Sequence, residues 1–427
     1  MGSPAPKERL IQTVCTKNPQ WTPLIEVERV RFRCMQLQCN PRVHKCPHSP
    51  LPPLVIPSLS LSFSQRIVQK REISMGFEKA ALVRVVLLFM YLGLLGGGSG
   101  QLVPALIVFG DSVMDSGNNN NLRTLVKANF PPYGRDFVTH SPTGRFSNGK
   151  LATDFTAENL GFASYPPAYL SKEATGKNLL AGANFASAAS GYYDGTATLY
   201  RALTLTKQLE YYKEYQEKVV SLVGKSKGSE ILSGAIYVVG AGSSDFVQNY
   251  YINPLLYNTY TPDQFSDFLL QSFTSFVQNL YALGARRIGT TSLPPMGCLP
   301  ASITLFGSGN NECVERMNKD AIGFNKKMNY AAQRLLKRLP DLKLVVFDIY
   351  NPLLTLINKP SDNGFFEARK ACCGTGTIEV SLLCNSKSLG TCKNATEYVF
   401  WDSFHPSEAA NSYLADSLLE QGIGLIS

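Results

Sequence analysis

The sequence predicts a three-layer α/β/α sandwich in which helices cover both faces of a mostly parallel β-sheet. Four short apolar runs lack the alternation of polar and apolar residues that a half-exposed strand shows: residues 104–110, 235–240, 287–293 and 342–349. Longer segments between them repeat apolar residues every three or four positions, as a helix does: residues 203–222, 262–283 and 311–339. Strands and helices alternate without an internal repeat or linker, so we expect one domain over residues 102–427.

Polar and small residues follow the first two predicted strands. Residues 110–112 (GDS) end the first strand, and residues 240–245 (GAGSSD) end the second. Near the C-terminus, residues 401–406 (WDSFHP) precede a final predicted helix, which we expect Ser407 to cap. Open α/β sheets bind ligands at the carboxyl ends of their strands, so these loops are the expected place of a functional site.

The composition is that of a folded globular protein with a large core. Hydrophobic residues make up 44% of the chain and charged residues 17%. The net charge of +9 is concentrated near the N-terminus, because residues 1–74 hold eleven Lys and Arg against four Asp and Glu. The rest of the chain is close to neutral and has no basic stripe with interleaved aromatic residues, which argues against nucleic-acid binding.

Residues 75–100 have the layout of a secretory signal peptide. A charged flank with Lys79 and Arg84 precedes an apolar run over residues 85–95, and small residues follow it. The alternative is a short buried helix. The run is too short to cross a bilayer, which needs about 20 residues, so we expect no membrane span in the mature chain.

This layout also bears on where the native chain begins. A signal peptide stands at the start of a chain, so we expect Met75 to be the true start and residues 1–74 to be an atypical N-terminal extension. An alternative interpretation of that extension is a zinc site formed by Cys34, Cys39, His44 and Cys46. The spacing of these four residues is irregular, so a zinc site is the weaker interpretation.

Six cysteines follow the signal segment, an even number that is typical of disulfides in an exported protein: Cys298, Cys313, Cys372, Cys373, Cys384 and Cys392. Proximity in the sequence favours the pairs Cys298–Cys313 and Cys384–Cys392. Disulfides are also the expected state of the adjacent cysteines at 372 and 373, in preference to a reactive thiol or a metal ligand. In the same stretch, Asn394 begins an N-glycosylation acceptor, which predicts an exposed position.

Histidine supplies a candidate base. Beyond residue 102 the chain has two histidines, His140 in a polar loop and His405. Asp402 precedes His405 by three residues, a spacing that lets its carboxylate accept the Nδ1 proton and leaves Nε2 free to take a proton from a serine. Ser112, directly after an apolar strand, is the candidate nucleophile. Either feature alone is more typical of an ordinary turn than of a catalytic site.

These features belong to a longer series of motifs that resembles the plant-type GDSL esterase/lipases, within the SGNH hydrolase superfamily. The motifs run in order along the chain: residues 109–112 (FGDS) with 115–120 (DSGNNN), 144–149 (GRFSNG), 182–187 (GANFAS), 293–298 (LPPMGC), 371–374 (ACCG) and 400–406 (FWDSFHP). A single GDS triplet carries little information, but six ordered motifs over nearly the whole mature chain are specific.

The resemblance implies a central sheet of five strands and a serine hydrolase that uses no metal or organic cofactor. It implies that Ser112 is the nucleophile, His405 the base and Asp402 the residue that orients the imidazole. It also implies an oxyanion hole formed by the Ser112 and Gly191 N–H groups and an asparagine side chain. The sequence departs from the family at this third donor, because Ser244 stands where the asparagine would be.

The departure leaves three interpretations open: Ser244 donates through a closer approach, Gln248 or Asn249 replaces it, or activity is low. Residues 246–251 (FVQNYY) either line a substrate groove or pack in the core, and residues 118–121 (NNNN) are expected to form a hydrogen-bonded turn that supports the site. The predicted function is a secreted esterase or lipase of the apoplast or cell wall, acting on small-molecule, lipid or polysaccharide esters. The alternatives are an acyltransferase or carbohydrate deacetylase, or a low-activity secreted binding protein.

Overall fold

The computed structural model describes residues 100–427 of the chain. The predicted N-terminal extension, residues 1–74, lies outside the described residues, and so does the predicted signal segment apart from Gly100. Both therefore stay predictions.

Five parallel strands form the central sheet: β1 (Leu106–Gly110), β2 (Gly182–Asn184), β3 (Ile236–Gly240), β4 (Arg287–Thr291) and β5 (Lys343–Phe347). Their spatial order is β2-β1-β3-β4-β5. Strands β1 and β3 pair without a shift, from Leu106 opposite Ile236 to Gly110 opposite Gly240. The loops that follow these two strands therefore leave the sheet at the same edge.

Helices connect and cover the strands: α1 (Ala152–Asn159), α2 (Asp194–Leu199), α3 (Leu205–Val223), α4 (Lys225–Gly234), α5 (Pro254–Thr259), α6 (Pro262–Ala282), α7 (Pro300–Phe306), α8 (Glu315–Arg338), α9 (Tyr350–Asn358) and α10 (Glu408–Ile426). Among residues 100–427, no helix has the length and apolar character that crossing a membrane requires.

Each face of the sheet packs against its own apolar core. On β1, Ile107 and Phe109 pack in a larger core with side chains of α3 and α6, whereas Leu106 and Val108 pack in a smaller core with side chains of α1 and α10. Successive side chains of a strand point to opposite faces, so a strand that is covered on both sides is apolar throughout. The predicted three-layer sandwich is confirmed, and its central sheet is parallel throughout.

The predicted elements recur in the structure with changed ends. The four predicted strands contain β1, β3, β4 and β5, and the three predicted helices correspond to α3, α6 and α8. The prediction missed β2, whose three residues are small or polar. It also began the longest helix too early, because Asn311 has a left-handed φ of 60° and Val314 is extended before α8 begins at Glu315.

A second sheet organises the cysteine-rich segment. It consists of two parallel strands, β6 (Glu367–Ala371) and β7 (Tyr398–Phe400), which the sequence did not indicate. The predicted disulfide between Cys298 and Cys313 is confirmed.

The predicted pair Cys384–Cys392 is wrong. The structure instead joins Cys372 to Cys392 and Cys373 to Cys384. The Cys392 N–H donates to the Cys372 carbonyl at 2.8 Å, so a backbone contact next to β6 places these two side chains together. Proximity along the chain failed for these four cysteines because the tertiary path of the loop decides which of them meet.

Candidate active site

Ser112 lies just beyond the carboxyl end of β1. Gly110, the last residue of that strand, has a φ of 138°, and a Cβ atom there would overlap the Gly240 carbonyl oxygen, so this close approach requires glycine. The chain then turns, and the Asp115 N–H donates to the Asp111 carbonyl at 3.0 Å. The Ser112 side chain is left 5% exposed at the edge of the sheet.

Asp402 and His405 lie in the loop between β7 and α10. The Trp401 N–H donates to the His405 carbonyl at 2.8 Å and closes this loop. Helix α10 begins directly afterwards, and its N-cap Ser407 accepts a hydrogen bond from the Ala410 N–H, as the sequence predicted. The capped helix therefore anchors the loop that carries both side chains.

The structure brings Ser112, His405 and Asp402 into one hydrogen-bonded row. The His405 Nε2 lies 2.6 Å from the Ser112 Oγ, and the His405 Nδ1 lies 2.6 Å from the Asp402 Oδ1. An ionised carboxylate only accepts, so Nδ1 is assigned the proton and Nε2 accepts from the serine hydroxyl. The other histidine of the domain, His140, is exposed and contacts the Arg135 carbonyl, away from this row.

Tyr133 is a further partner of Asp402 that the sequence did not reveal. Its hydroxyl donates to the Asp402 Oδ2 at 2.8 Å and accepts the Ser381 N–H at 2.8 Å. The Asp402 Oδ1 accepts the N–H groups of Phe404 and His405, both at 3.0 Å. Burial, reinforced by the Asp402 carboxylate, raises the pKa of Tyr133 well above its ordinary value, so the phenol stays a donor.

Replacing Tyr133 with phenylalanine is expected to lower kcat for ester hydrolysis about tenfold with little change in KM. A hydrogen bond to a charged group contributes roughly 1.5–3 kcal/mol, and only the part that differs between ground state and transition state affects kcat. Steady-state kinetics measure this. The control is Tyr215→Phe, which removes an equally buried hydroxyl that donates to the Leu179 carbonyl in the core. Equal kcat values for the two variants would contradict the assigned role of Tyr133.

Gly191 lies against the carboxylate of Asp245, the residue that follows Ser244. A Cβ atom at Gly191 would overlap that carboxylate, so a larger residue does not fit. Asp245 also accepts the Tyr192 N–H at 2.7 Å, which ties the two loops together. Within residues 100–427, neither the Gly191 N–H nor the Ser112 N–H donates a hydrogen bond. Ser112 lines the cavity next to His405, whereas Gly191 does not line it.

Gln208 joins the Gly191 loop to the end of β1, and the sequence analysis missed it. Its Oε1 accepts the Gly110 N–H at 2.9 Å, and its Nε2 donates to the Gly110 carbonyl at 2.9 Å and to the Ser190 Oγ at 3.1 Å. The side chain is completely buried on α3. A glutamine on the apolar face of a helix was the available signal, since buried amides need partners.

Three side chains are the predicted candidates for the third oxyanion donor: Ser244, Gln248 and Asn249. Ser244 lines a cavity together with Ser112 and His405, and its hydroxyl makes no hydrogen bond to the described part of the chain. Asn249 does not line that cavity, and its amide donates to a buried threonine hydroxyl at 3.0 Å. Gln248 does line it. Of these three candidates, Ser244 and Gln248 border the cavity and Asn249 does not.

Residues 246–251 divide between the core and the cavity. Phe246 and Tyr250 are buried in the larger core, Val247 belongs to that core and also lines the cavity, and Gln248 lines the cavity. Phe246–Tyr250 forms a π-helical turn, a rare conformation that is frequent at functional sites. Each of the two interpretations of this segment therefore applies to some of its residues.

The asparagine run next to the site forms the predicted hydrogen-bonded turn. Residues 118–121 form a 3₁₀ helix, and the Asn118 Nδ2 donates to the carbonyls of Asn184 and Ala186 at 2.9 and 2.7 Å. Asp115 accepts the Asn118 N–H at 2.7 Å. These bonds attach the Ser112 loop to β2.

Two buried carboxyl groups flank the site. Burial raises the pKa of Asp111 to about 6, against hydrogen bonds from Val113 and Ser243 and the charge of His405, which lower it. Burial likewise raises the pKa of Asp245 to about 7. Asp111 therefore changes its charge near neutral pH, one residue from the Ser112 hydroxyl.

Comparison with known proteins shows the family of the chain. Residues 106–418 match the family described as GDSL-like Lipase/Acylhydrolase. The chain is 68% identical to GDSL esterase/lipase At5g03810 of Arabidopsis thaliana over 334 residues. The matched region covers 78% of this chain and 95% of that protein. It is also 62% identical over 327 residues to GDSL esterase/lipase APG of the same plant, a match that covers 76% of this chain and 93% of that protein. The chain therefore belongs to the GDSL-like lipase/acylhydrolase family of carboxylic ester hydrolases.

Proposed function

We propose that the chain is a secreted serine esterase or lipase that cleaves carboxylic esters through an acyl-enzyme. The observation that carries the proposal is the hydrogen-bonded row from the Ser112 hydroxyl through His405 to Asp402, which borders an apolar cavity. Membership of the family supports the reaction class. The geometry of the row supports the mechanism.

In the proposed reaction, the Ser112 Oγ attacks the ester carbonyl carbon while its proton passes to the His405 Nε2. Asp402 keeps the Nδ1–H oriented and stabilises the imidazolium. His405 then returns the proton to the leaving alkoxide, so the alcohol departs and the acyl group stays on Ser112. Water then attacks the acyl carbon and gives a proton to His405. When this second tetrahedral intermediate breaks down, His405 returns the proton to the Ser112 oxygen and the carboxylic acid leaves.

The negative oxygen of each tetrahedral intermediate needs donors aimed at it. The Ser112 and Gly191 N–H groups, which have no other acceptor among residues 100–427, are the proposed backbone donors. The Ser244 hydroxyl is the proposed third donor, since it lies on the cavity and makes no other hydrogen bond within the described chain.

We expect Ser244→Asn to preserve or raise kcat, and Ser244→Ala to lower kcat about 10²-fold. An amide on a longer side chain is the family's donor at this position, whereas alanine removes the donor altogether. Hydrolysis of p-nitrophenyl butyrate by the purified variants measures both effects.

The matched comparison for this prediction is Gln248→Ala. If Ser244 is the donor, Gln248→Ala should keep the kcat of the wild type, because the oxyanion still receives the hydrogen bond from Ser244. Loss of kcat in Gln248→Ala together with full activity in Ser244→Ala would instead assign the third donor to Gln248.

Export to the apoplast or cell wall belongs to the same proposal. Three disulfides support an oxidising compartment. Asn394, the proposed glycosylation site, is exposed, and its Oδ1 accepts the Thr396 hydroxyl at 2.8 Å. The proposed mature domain is residues 102–427 and the proposed signal peptide residues 75–100, and N-terminal sequencing of the exported chain tests both.

A phosphonate probe that reacts with activated serines tests the proposed function directly. We expect it to label Ser112 and to block turnover of a short p-nitrophenyl ester in parallel. A chain that neither reacts at Ser112 nor hydrolyses the ester would instead be a binding protein.

A further inference from the structure

Two neighbouring cavities share part of their lining, and the first of them is bordered by Ser112. The first is bordered by Ser112 and His405 and has a volume of about 80 Å³; the second has a volume of about 40 Å³. Met114, Ala152 and Leu418 line both cavities, so these side chains lie where the two cavities adjoin. A water molecule needs about 10–15 Å³ by this measure, so each cavity exceeds a single-water site.

The second cavity has a less polar lining than the first. The first cavity is lined by hydroxyl, amide, carboxyl and imidazole groups as well as by aliphatic residues such as Leu353 and Leu414. The second is aliphatic and aromatic apart from Thr153 and Thr156. Protein interiors are packed densely, and empty apolar cavities accept apolar ligands rather than water.

Met114 is suited to open the passage between the cavities. Its side-chain methyl group occupies the space directly above Gly240, where any larger residue would displace it. A methionine side chain is unbranched and flexible, so it can move aside at a lower cost than a branched or aromatic residue. The opposite wall is formed by Ala152, the first residue of α1, and by Leu418 of α10.

Helix α10 runs along both cavities. Leu414 lines the first and Leu425 the second, and at about 1.5 Å per residue these side chains are about 16 Å apart along the helix axis. Phe347 and Val238 form the sheet side of the far end. The two cavities together therefore have the length and the narrow, apolar lining that suit an extended hydrocarbon chain.

We infer that these cavities form one channel that binds the acyl part of the substrate, an unbranched aliphatic chain of octanoyl to dodecanoyl length, beneath α10. The inference rests on the proposed function, in which the acyl group stays on Ser112 while the alcohol must leave. The second cavity offers a sugar only the Thr153 and Thr156 hydroxyls as hydrogen-bond partners, and buried hydroxyl groups without hydrogen bonds are costly. The alcohol therefore lies on the solvent side of Ser112.

Blocking the passage tests this inference. We expect kcat/KM of the wild type to rise from p-nitrophenyl acetate to the decanoate, by about fourfold for each methylene that reaches the apolar lining. Ala152→Phe, at the junction, is expected to lower the ratio of decanoate to acetate kcat/KM at least tenfold. Leu418→Phe narrows the channel from the opposite wall and should lower the same ratio if Ala152→Phe does not fold.

The control is Asn159→Phe, which places the same ring at an exposed position at the other end of α1. It should leave the decanoate-to-acetate ratio unchanged. Acetate hydrolysis with an unchanged ratio in both blocking variants would overturn the channel and leave the proposed function standing.

Direct binding separates the two proposals if no ester is hydrolysed. Calorimetric titration of Ser112→Ala protein with decanoate measures occupancy of the channel without catalysis. We expect binding that is weakened at least tenfold when Ala152→Phe is added. Absence of binding, or equal binding with and without Ala152→Phe, would overturn the channel whether or not the chain is an esterase.

Discussion

Replacing Ser112 with alanine is expected to lower kcat for ester hydrolysis by about 10⁴-fold or more. The hydroxyl is the atom that forms the acyl-enzyme, and no other hydroxyl lies within hydrogen-bond reach of the His405 Nε2 among residues 100–427. Residual turnover would come from the oxyanion donors and from binding alone. Initial rates with p-nitrophenyl butyrate, at enzyme concentrations high enough to detect the residual activity, measure the loss.

Ser302→Ala is the matched control for that experiment. Ser302 is as buried as Ser112, and its hydroxyl has no hydrogen-bond partner among the described residues. Removing it should leave kcat unchanged and should not destabilise the fold. Undiminished hydrolysis by Ser112→Ala would overturn the assignment of the nucleophile.

The second large effect is expected for Asp402→Asn, which should lower kcat by about 10³–10⁴-fold. Asparagine preserves the shape of the side chain but lacks the negative charge that stabilises the imidazolium formed during attack. The two backbone N–H groups that donate to the Oδ1, those of Phe404 and His405, favour the amide oxygen at that position. The amide NH₂ then faces the Tyr133 hydroxyl, which loses its acceptor.

A double variant separates a shared mechanism from two unrelated defects. If Ser112 and Asp402 act through His405 as one unit, Ser112→Ala/Asp402→Asn should be no slower than Ser112→Ala alone. Multiplication of the two single losses would show that Asp402 acts independently of the serine, and the proposed proton path would be wrong. Thermal unfolding of each variant checks that the fold is retained.

The inferred channel beneath α10 is the structural basis of the predicted preference for aliphatic acyl chains. Helix α10 starts three residues after His405 and lines the channel farther along, so the element that anchors the base also covers the predicted acyl site. Both the preferred length of the acyl chain and the turnover number are therefore expected to depend on this helix. Variation of residues such as Leu418 should change the preferred acyl chain with a smaller effect on acetate.

Local patterns were sufficient for much of the fold. Uninterrupted apolar runs predicted β1, β3, β4 and β5 because a strand covered on both faces has no polar side, and helical spacing predicted α3, α6 and α8 because each buries one stripe. The sequence analysis did not predict strand β2, because a segment of three residues is too short to show a periodic pattern. The ordered motifs indicated Ser112, Asp402 and His405, since each motif is contiguous in the chain.

The sequence by itself determined the layered architecture, the family and the three side chains that form the row. Only the tertiary structure decided which cysteines pair, that Tyr133 reaches Asp402 across 269 positions, that Gln208 supports the Gly191 loop, and that the space beneath α10 is open. The physical reason is the range of the interactions. Periodicity and motifs record what neighbouring residues do, whereas disulfides, buried hydrogen bonds and cavities depend on distances between segments that meet only when the chain has folded.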